Sequence, residues 1–157
     1  MPKVGDSTDL RILQQLQENA RLTNVELADR IGLSPSPCLR RLKRLEADGV
    51  IKGYMTLVDQ NAIGLPVSVF VSVTLKEQTE QALEEFEARI RALPQVMECY
   101  LMTGTADYLL RVVTADLAAY ERFLKDHLTR IPAIASIQSS FALKQVSFRT
   151  ALPISVN

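Results

Sequence analysis

The most informative segment of this sequence is Ser34-Pro35-Ser36-Pro37-Cys38-Leu39-Arg40-Arg41-Leu42-Lys43-Arg44-Leu45. At about 100° per residue, its apolar side chains gather on one side of a helix and most of its basic side chains on the other. Ser34 is suited to the N-cap position and Pro35 to the first turn. The segment predicts a helix that packs with one face and meets an anion with the other. An ordinary solvated helix is the alternative that a charged run leaves open.

Two shorter helices are predicted before this segment. The first has Ser7 or Thr8 as its cap candidate and about three turns of apolar residues at helical spacing. The second begins at Thr23, because Thr23 and Glu26 have the spacing of a capping box. Gly32 follows where a helix ends in a left-handed residue. A helix, a Gly-containing turn and a second helix form a helix-turn-helix, whose second helix lies in the major groove of DNA.

The two prolines of the third helix indicate how it would hold DNA. Each proline lacks a backbone N–H and so removes a donor from the helix end that otherwise attracts a phosphate. Phosphate contacts therefore fall to the basic side chains, and Ser36 and Arg40 are best placed for base edges. The predicted DNA-binding residues are Ser34, Ser36, Pro37, Arg40, Arg41, Lys43 and Arg44.

Composition and charge exclude several classes of protein. The 157 residues hold 18 basic and 18 acidic side chains, but residues 1–54 carry a net charge of +2 and the remainder −2. No apolar run approaches the roughly 20 residues that span a bilayer, and the N-terminus lacks a signal-peptide core, so a cytoplasmic protein without membrane contact is expected. No nucleophile–base pair, metal-ligand cluster or Gly-rich phosphate loop is visible, so no catalytic residue, metal or cofactor is predicted.

The pattern changes from helix to strand after a linker. Residues 54–65 predict a linker strand and hinge rich in turn formers. Valines then alternate with smaller residues over 67–75, which is typical of a strand. The complete order after residue 66 is β-α-β-β-α-β, which predicts a ferredoxin-like α+β domain with two helices on one face of four antiparallel strands. The predicted domains are 1–53 for DNA binding, 54–65 for the linker and 66–157 for effector binding and oligomerisation.

The predicted sheet has consequences for assembly and for ligand binding. Two helices cover one face of the sheet, yet both faces carry apolar side chains, so a two-fold dimer is expected. Such a dimer would place two DNA-binding domains on a palindromic operator. Gly104 would let a ligand approach the backbone, and Asp107 could pair with an α-ammonium group. The alternative for these two residues is a tight strand connection. Gln138 and Ser140 belong to a polar patch on the last strand that could line the same cleft.

Several motifs of the chain occur together in one known family. They are Asp9-x-x-Ile12-Leu13, Asn19-Ala20-Arg21, Glu26-Leu27-Ala28, the segment from Leu33 to Glu46 with Gly49-Val50-Ile51 after it, and Thr103-Gly104-x-x-Asp107-Tyr108-Leu109-Leu110. These motifs resemble the Lrp/AsnC, or feast-famine, transcriptional regulators over nearly the whole chain. The resemblance implies a sequence-specific regulator of double-stranded DNA, dimers that assemble into tetramers or octamers, and a small amino acid bound between subunits. It favours effector contacts from Gly104, Asp107, Tyr108, Gln138 and Ser140. The alternative function is that of a metabolite sensor whose N-terminal domain binds a protein partner.

Overall fold

The computed structural model describes residues 4–155, which fall into two compact units. One unit lies within Met1–Leu57 and Val146–Asn157, and the other is Val58–Gln145. The predicted limits assign everything after residue 66 to one domain, whereas the structure places the C-terminal segment from Val146 with the N-terminal helices. The predicted limits also reach residues 1–3 and 156–157, which lie outside the described residues.

The first unit, termed here the head, is a bundle of three short helices. These are α1 (Ser7–Glu18), α2 (Asn24–Ile31) and α3 (Pro35–Ala47). The predicted helix-turn-helix is therefore confirmed as α2, a turn at left-handed Gly32 (φ 71°) and α3. The apolar faces of the helices meet in one small core. Its buried members are Ile12, Leu16, Leu27, Ala28, Ile31, Cys38 and Leu45.

The helix starts differ in how well the sequence predicted them. At α2, Thr23 Oγ1 accepts from the Glu26 N–H and Glu26 Oε2 accepts from the Thr23 N–H, as the capping box requires. At α1 the predicted cap was wrong, because Asp6 holds the N-cap position in place of Ser7 or Thr8. The Asp6 carboxylate accepts from the Asp9 N–H at 3.0 Å.

The C-terminal segment is held on α1 by two glutamine side chains. Gln17 Nε2 donates to the carbonyl oxygen of Leu152 (3.1 Å), and Gln17 Oε1 accepts from the Leu152 N–H (2.6 Å). Gln14 Nε2 donates to the carbonyl oxygen of Ile154 (2.8 Å). These bonds reach only backbone atoms of the segment, and they explain why it belongs to the head.

The second unit is the predicted β-α-β-β-α-β arrangement. Its elements are β1 (Val67–Leu75), α4 (Glu80–Arg91), β2 (Val96–Leu101), β3 (Tyr108–Thr114), α5 (Leu117–Asp126), a short 3₁₀ turn (Leu128–Arg130) and β4 (Ile134–Phe141). All neighbouring strands are antiparallel, in the order β2-β3-β1-β4. The sequence prediction of the fold class is therefore confirmed.

One face of the sheet carries both helices, and the other face is open. Val69, Val71 and Val73 are fully buried with Phe86 of α4 and Phe123 of α5. Residues between these valines point to the opposite face, because side chains alternate along a strand. Phe70 is accordingly exposed on that open face.

The predicted linker strand is not formed within this chain. Residues 52–59 have no strand pairing, and Tyr54, Met55, Leu57 and Val58 are exposed. The residue types suited a strand, but a strand needs a partner backbone, and none of the described segments supplies one here.

Candidate functional site

The outward face of α3 forms a shallow groove with positive charge. Ser36, Leu39, Arg40 and Lys43 line this groove, whose volume is about 320 Å³. Leu39 was expected to pack with the other apolar residues of the helix, but its side chain lies in the groove and is exposed. Within the described part of the chain, neither Arg40 nor Lys43 forms an ion pair. The groove thus offers a hydroxyl, an apolar side chain and two cations to a ligand.

The start of α3 is held by a residue that the sequence did not single out. Asn24 Nδ2 donates to the carbonyl oxygen of Pro35 at 2.8 Å and so ties the beginning of α2 to the first turn of α3. Ser34 occupies the N-cap position but makes no side-chain cap hydrogen bond. Pro37 stands at the third helical position and has no N–H, so one of the two usual donors to an N-cap side chain is missing.

The other two cations of α3 point into the head. Arg41 Nη1 lies 2.9 Å from Asp9 Oδ1 and 2.9 Å from the Asp6 carboxylate. Arg44 Nη2 donates to Asp9 Oδ2. Asp9 itself is completely buried and also accepts from the Gly5 N–H at 2.9 Å. The predicted DNA-binding set is therefore divided between an outward pair of cations and an inward pair.

These contacts favour the ionised forms of Arg41 and Asp6. Hydrogen bonds to Asp9, and secondly to Asp6, raise the pKa of Arg41 above its usual value. The Asp9 N–H, with Arg41 as a further contributor, lowers the pKa of the Asp6 carboxyl. Arg41 and Asp6 are therefore both ionised at neutral pH.

Two predicted effector residues lie in the connection between β2 and β3. Gly104 has φ 113°, a conformation that strains other residues, and an added Cβ would meet open space. Asp107 Oδ2 accepts from the Leu75 N–H at 2.7 Å and from Gln78 Nε2 at 3.3 Å. The Asp107 carboxylate therefore already ties the end of β1 to the start of β3.

The remaining predicted effector residues lie on opposite faces of the sheet. Tyr108 is buried on the helix face and donates to Glu87 Oε1 at 2.9 Å, and burial followed by Glu87 raises the pKa of its hydroxyl. Gln138 and Ser140 pair with Ser72 and Phe70 of β1, so they share the open face. A single chain therefore does not bring the five residues into one cluster.

A small cavity of about 150 Å³ lies between α4 and the edge strand β2. Glu87 and Arg91 stand beside it and are paired with each other at 2.6 Å. Tyr108, Cys99, Ile90 and Leu101 complete its lining. The sequence did not predict this cavity, because its lining comes from three separate elements.

Among residues 4–155, no group of three or more His, Cys, Asp or Glu is arranged to hold a metal ion. No helix in the same range is both long and apolar enough to cross a bilayer.

Two family models match this chain, one on the N-terminal helices and one on the sheet unit together with the first residues of the C-terminal segment. Residues 5–52 match the model of a winged helix-turn-helix DNA-binding domain. Residues 68–152 match the model of the Lrp/AsnC ligand binding domain. The fold and both matches define the class of a transcriptional regulator that joins a DNA-binding head to a ligand-binding domain.

The chain is similar to several transcriptional regulators over nearly its whole length. The chain is 50% identical over 149 residues to the Bkd operon transcriptional regulator of Pseudomonas aeruginosa, covering 95% of this chain and 97% of the relative. It is 36% identical to the leucine-responsive regulatory protein of Escherichia coli K12, with 95% and 91% covered. A Neisseria meningitidis transcriptional regulator crystallised with L-Met superimposes with a TM-score of 0.90 at 44% identity, covering 95% and 96%.

The chain belongs to the Lrp/AsnC family of transcriptional regulators. It is a DNA-binding regulator with a helix-turn-helix head and a ligand-binding domain. Its relatives are regulators and not enzymes, so the prediction that this chain is not an enzyme is confirmed.

Proposed function

We propose that α3 enters the major groove of an operator and reads it through Ser36 and Arg40, while Lys43 contacts a phosphate. The observation that carries this proposal is the groove on the outward face of α3, where two cations stand without an acidic partner among the described residues. An Arg side chain that forks onto a guanine edge supplies sequence discrimination, whereas a Lys on a phosphate supplies affinity for any sequence. Ser34 and Pro37 flank the same helix start and complete the proposed contact set.

Fluorescence anisotropy with two DNA duplexes tests these roles. One duplex is selected from a random pool by the unaltered protein, and the other has random sequence. Arg40→Ala should lose roughly 1 to 3 kcal/mol on the selected duplex and relax its preference at one base position. Lys43→Ala should weaken both duplexes equally. Arg122→Ala, an exposed residue of α5, is the matched control and should change neither. Equal losses for Arg40→Ala on both duplexes would reassign Arg40 to the backbone.

We further propose that a small amino acid is the effector of the ligand-binding domain. The family model that matches residues 68–152 describes a ligand-binding domain, and the similar Neisseria meningitidis regulator was solved with L-Met. The proposed contacts are Gly104 and Asp107 at the β2–β3 connection and Gln138 and Ser140 on the open face; the sequence also predicted Tyr108. Because Tyr108 is buried on the other face, its proposed role is to hold β3 in place.

A thermal-shift screen against the common amino acids tests the effector proposal. An effector at about 100 times its dissociation constant stabilises the folded protein by roughly 2.7 kcal/mol. Gln138→Ala and Ser140→Ala should reduce that shift, whereas Tyr108→Phe should leave it unchanged. A shift lost in Tyr108→Phe and retained in both open-face variants would move the site to the helix face.

We also propose a homodimer that assembles to a tetramer or octamer, acts on a palindromic operator and works in the cytoplasm, where its DNA target lies. The open sheet face supports the dimer, because it exposes Phe70 and Tyr100. Phe70→Asp should reduce the mass measured by light scattering at micromolar concentration, whereas Leu117→Asp, at an exposed position on α5, should not. An unaltered protein that is monomeric in this measurement would contradict the proposal.

A further inference from the structure

We propose that Asp9 sets the orientation of α3 in the head and that Arg41 and Arg44 bind this carboxylate in place of DNA phosphates. All three are then positioning residues for the reading of DNA. The inference rests on the proposed contact surface of α3, because it divides the cations of that helix into two pairs with different tasks.

The surroundings of Asp9 are those of a built anion site. Its side chain has no exposure to solvent, and donors reach both oxygens: Arg41 reaches Oδ1, while Arg44 and the Gly5 N–H reach Oδ2. A Cβ added at Gly5 would stand only 2.9 Å from Asp9 Oδ2 and 3.1 Å from Arg44. The backbone of Gly5 therefore packs closely against the Asp9 carboxylate and the Arg44 guanidinium. A buried carboxylate requires this degree of pairing, because burying a charge without partners is strongly unfavourable.

This arrangement fixes the rotation of α3 about its own axis. Arg41 and Arg44 are three residues apart, so they lie on one side of the helix and both bond to α1 through Asp9. Arg40 and Lys43 each precede one of these arginines by a single residue and are turned from it by about 100°. When Arg41 and Arg44 are bound to Asp9, Arg40 and Lys43 must therefore lie with Ser36 on the outward face of α3.

The inward cluster carries no net charge. Arg41 and Arg44 supply two positive charges and Asp6 and Asp9 two negative ones. Neutralising a phosphate releases condensed counterions and makes binding depend on salt, and a cluster that is already neutral releases few. Salt dependence therefore separates the two pairs of cations.

The test measures DNA affinity as a function of salt concentration for single variants of the full-length protein. The probe is a random-sequence duplex, on which only phosphate contacts count. Arg40→Gln and Lys43→Gln should each reduce the slope of log affinity against log salt concentration by up to about 0.9. Arg41→Gln and Arg44→Gln should leave this slope unchanged. A loss of about 0.9 in either inward variant would overturn the proposal.

A second readout distinguishes positioning from simple stabilisation. The ratio of affinities for the selected and random duplexes should fall several-fold in Arg41→Gln and Arg44→Gln, because α3 then presents its outward face in more than one rotation. Asp9→Asn should lower the ratio in the same way, although it removes no cation. An unchanged ratio in Arg44→Gln, with the protein shown to be folded by circular dichroism, would also overturn the proposal.

Two controls keep the outcomes separate. Arg44 is half-exposed, so Arg44→Gln carries the test if Arg41→Gln does not fold at the assay temperature. Arg41→Lys keeps the charge but not the planar fork, and under the proposal it should restore little of the ratio. Failure of the unaltered protein to bind DNA with any salt dependence would count against the proposed function and not against the role of Asp9 alone.

Discussion

Different interactions stabilise each of the two units of this chain. Among the described residues, the core of the head has seven buried apolar side chains, whereas the core of the sheet unit has thirteen. Polar contacts supplement the smaller core of the head. Buried Asp9 pairs with two guanidinium groups, α2 begins with a capping box, and Gln17 forms two hydrogen bonds with Leu152, termed here the clasp. A unit with a small apolar core can thus gain part of its fixed geometry from hydrogen bonds. The sheet unit also has polar contacts, such as Asp107 with the Leu75 N–H, but it adds them to a larger core.

The largest effect is expected from removing both inward arginines. Arg41→Met with Arg44→Met leaves Asp9 buried with only the Gly5 N–H, so the head should lose about 3–5 kcal/mol of stability. Hydrogen exchange in α1 and α3 measures this loss, and exchange in β1 and β3 should not change. Adding Asp9→Asn removes the buried charge and should recover most of the stability. A double variant as stable as the original protein would show that the cluster does not hold the head.

The corresponding change in the sheet unit deletes apolar volume. Leu110 is fully buried, so Leu110→Ala should cost about 2–5 kcal/mol, measured by urea unfolding and by exchange in β1 and β3. Leu143→Ala is the matched control at a side chain that is 99% exposed, and it should stay within about 0.5 kcal/mol. If both variants were equally stable, the apolar core could not be what distinguishes this unit from the head.

The outcome of sequence prediction follows the same division. The order of strands and helices in the sheet unit and the bounds of its first strand, 67–75, were predicted as observed, because β-branched alternation and helical spacing report directly on burial. The helices of the head were predicted for the same reason. The role of Asp9 was not, although it stands three residues before Ile12 and seven before Leu16, on the buried stripe of α1. An acidic residue at such a position was a usable signal, but it does not name its partners.

Other parts of the candidate site needed three-dimensional pairing. Helical spacing placed most of the basic side chains of α3 on one side, and only the position of α1 decides that Arg41 and Arg44 turn inward. The effector set was predicted from residue chemistry together with the family resemblance, and the strand register places Tyr108 on the opposite face from Gln138. The linker strand was predicted from residue type, and pairing depends on a partner that composition does not reveal.

A smaller effect compares two helix starts within the head. Thr23→Ala removes the capping bond of α2 and should cost about 1 kcal/mol, measured by thermal unfolding. Ser34→Ala at the start of α3 should cost much less, because Ser34 makes no side-chain cap bond. Equal losses would mean that Ser34 caps α3 in solution.

The smallest effect concerns acid. The pKa of Asp6 is lowered by the Asp9 N–H, and the pKa of Glu26 is lowered by the backbone and hydroxyl of Thr23. A lowered carboxyl pKa gives stability that is present above the ordinary value of about 4 and is lost as the pH falls through the lowered one. Urea unfolding between pH 6 and pH 2 should show this loss in the head, and Asp6→Asn with Glu26→Gln should flatten it. An identical pH profile in the double variant would contradict this origin.

The clasp between Gln17 and Leu152 has a consequence for biosynthesis. The helices of the head leave the ribosome before the sheet unit, and the segment that Gln17 binds leaves it after the sheet unit. The helical core can therefore form early in translation, but the head acquires its final backbone contacts only after the entire sheet unit has been made. A nascent chain that stops short of Val146 would carry a folded helix-turn-helix with an unoccupied surface on its first helix.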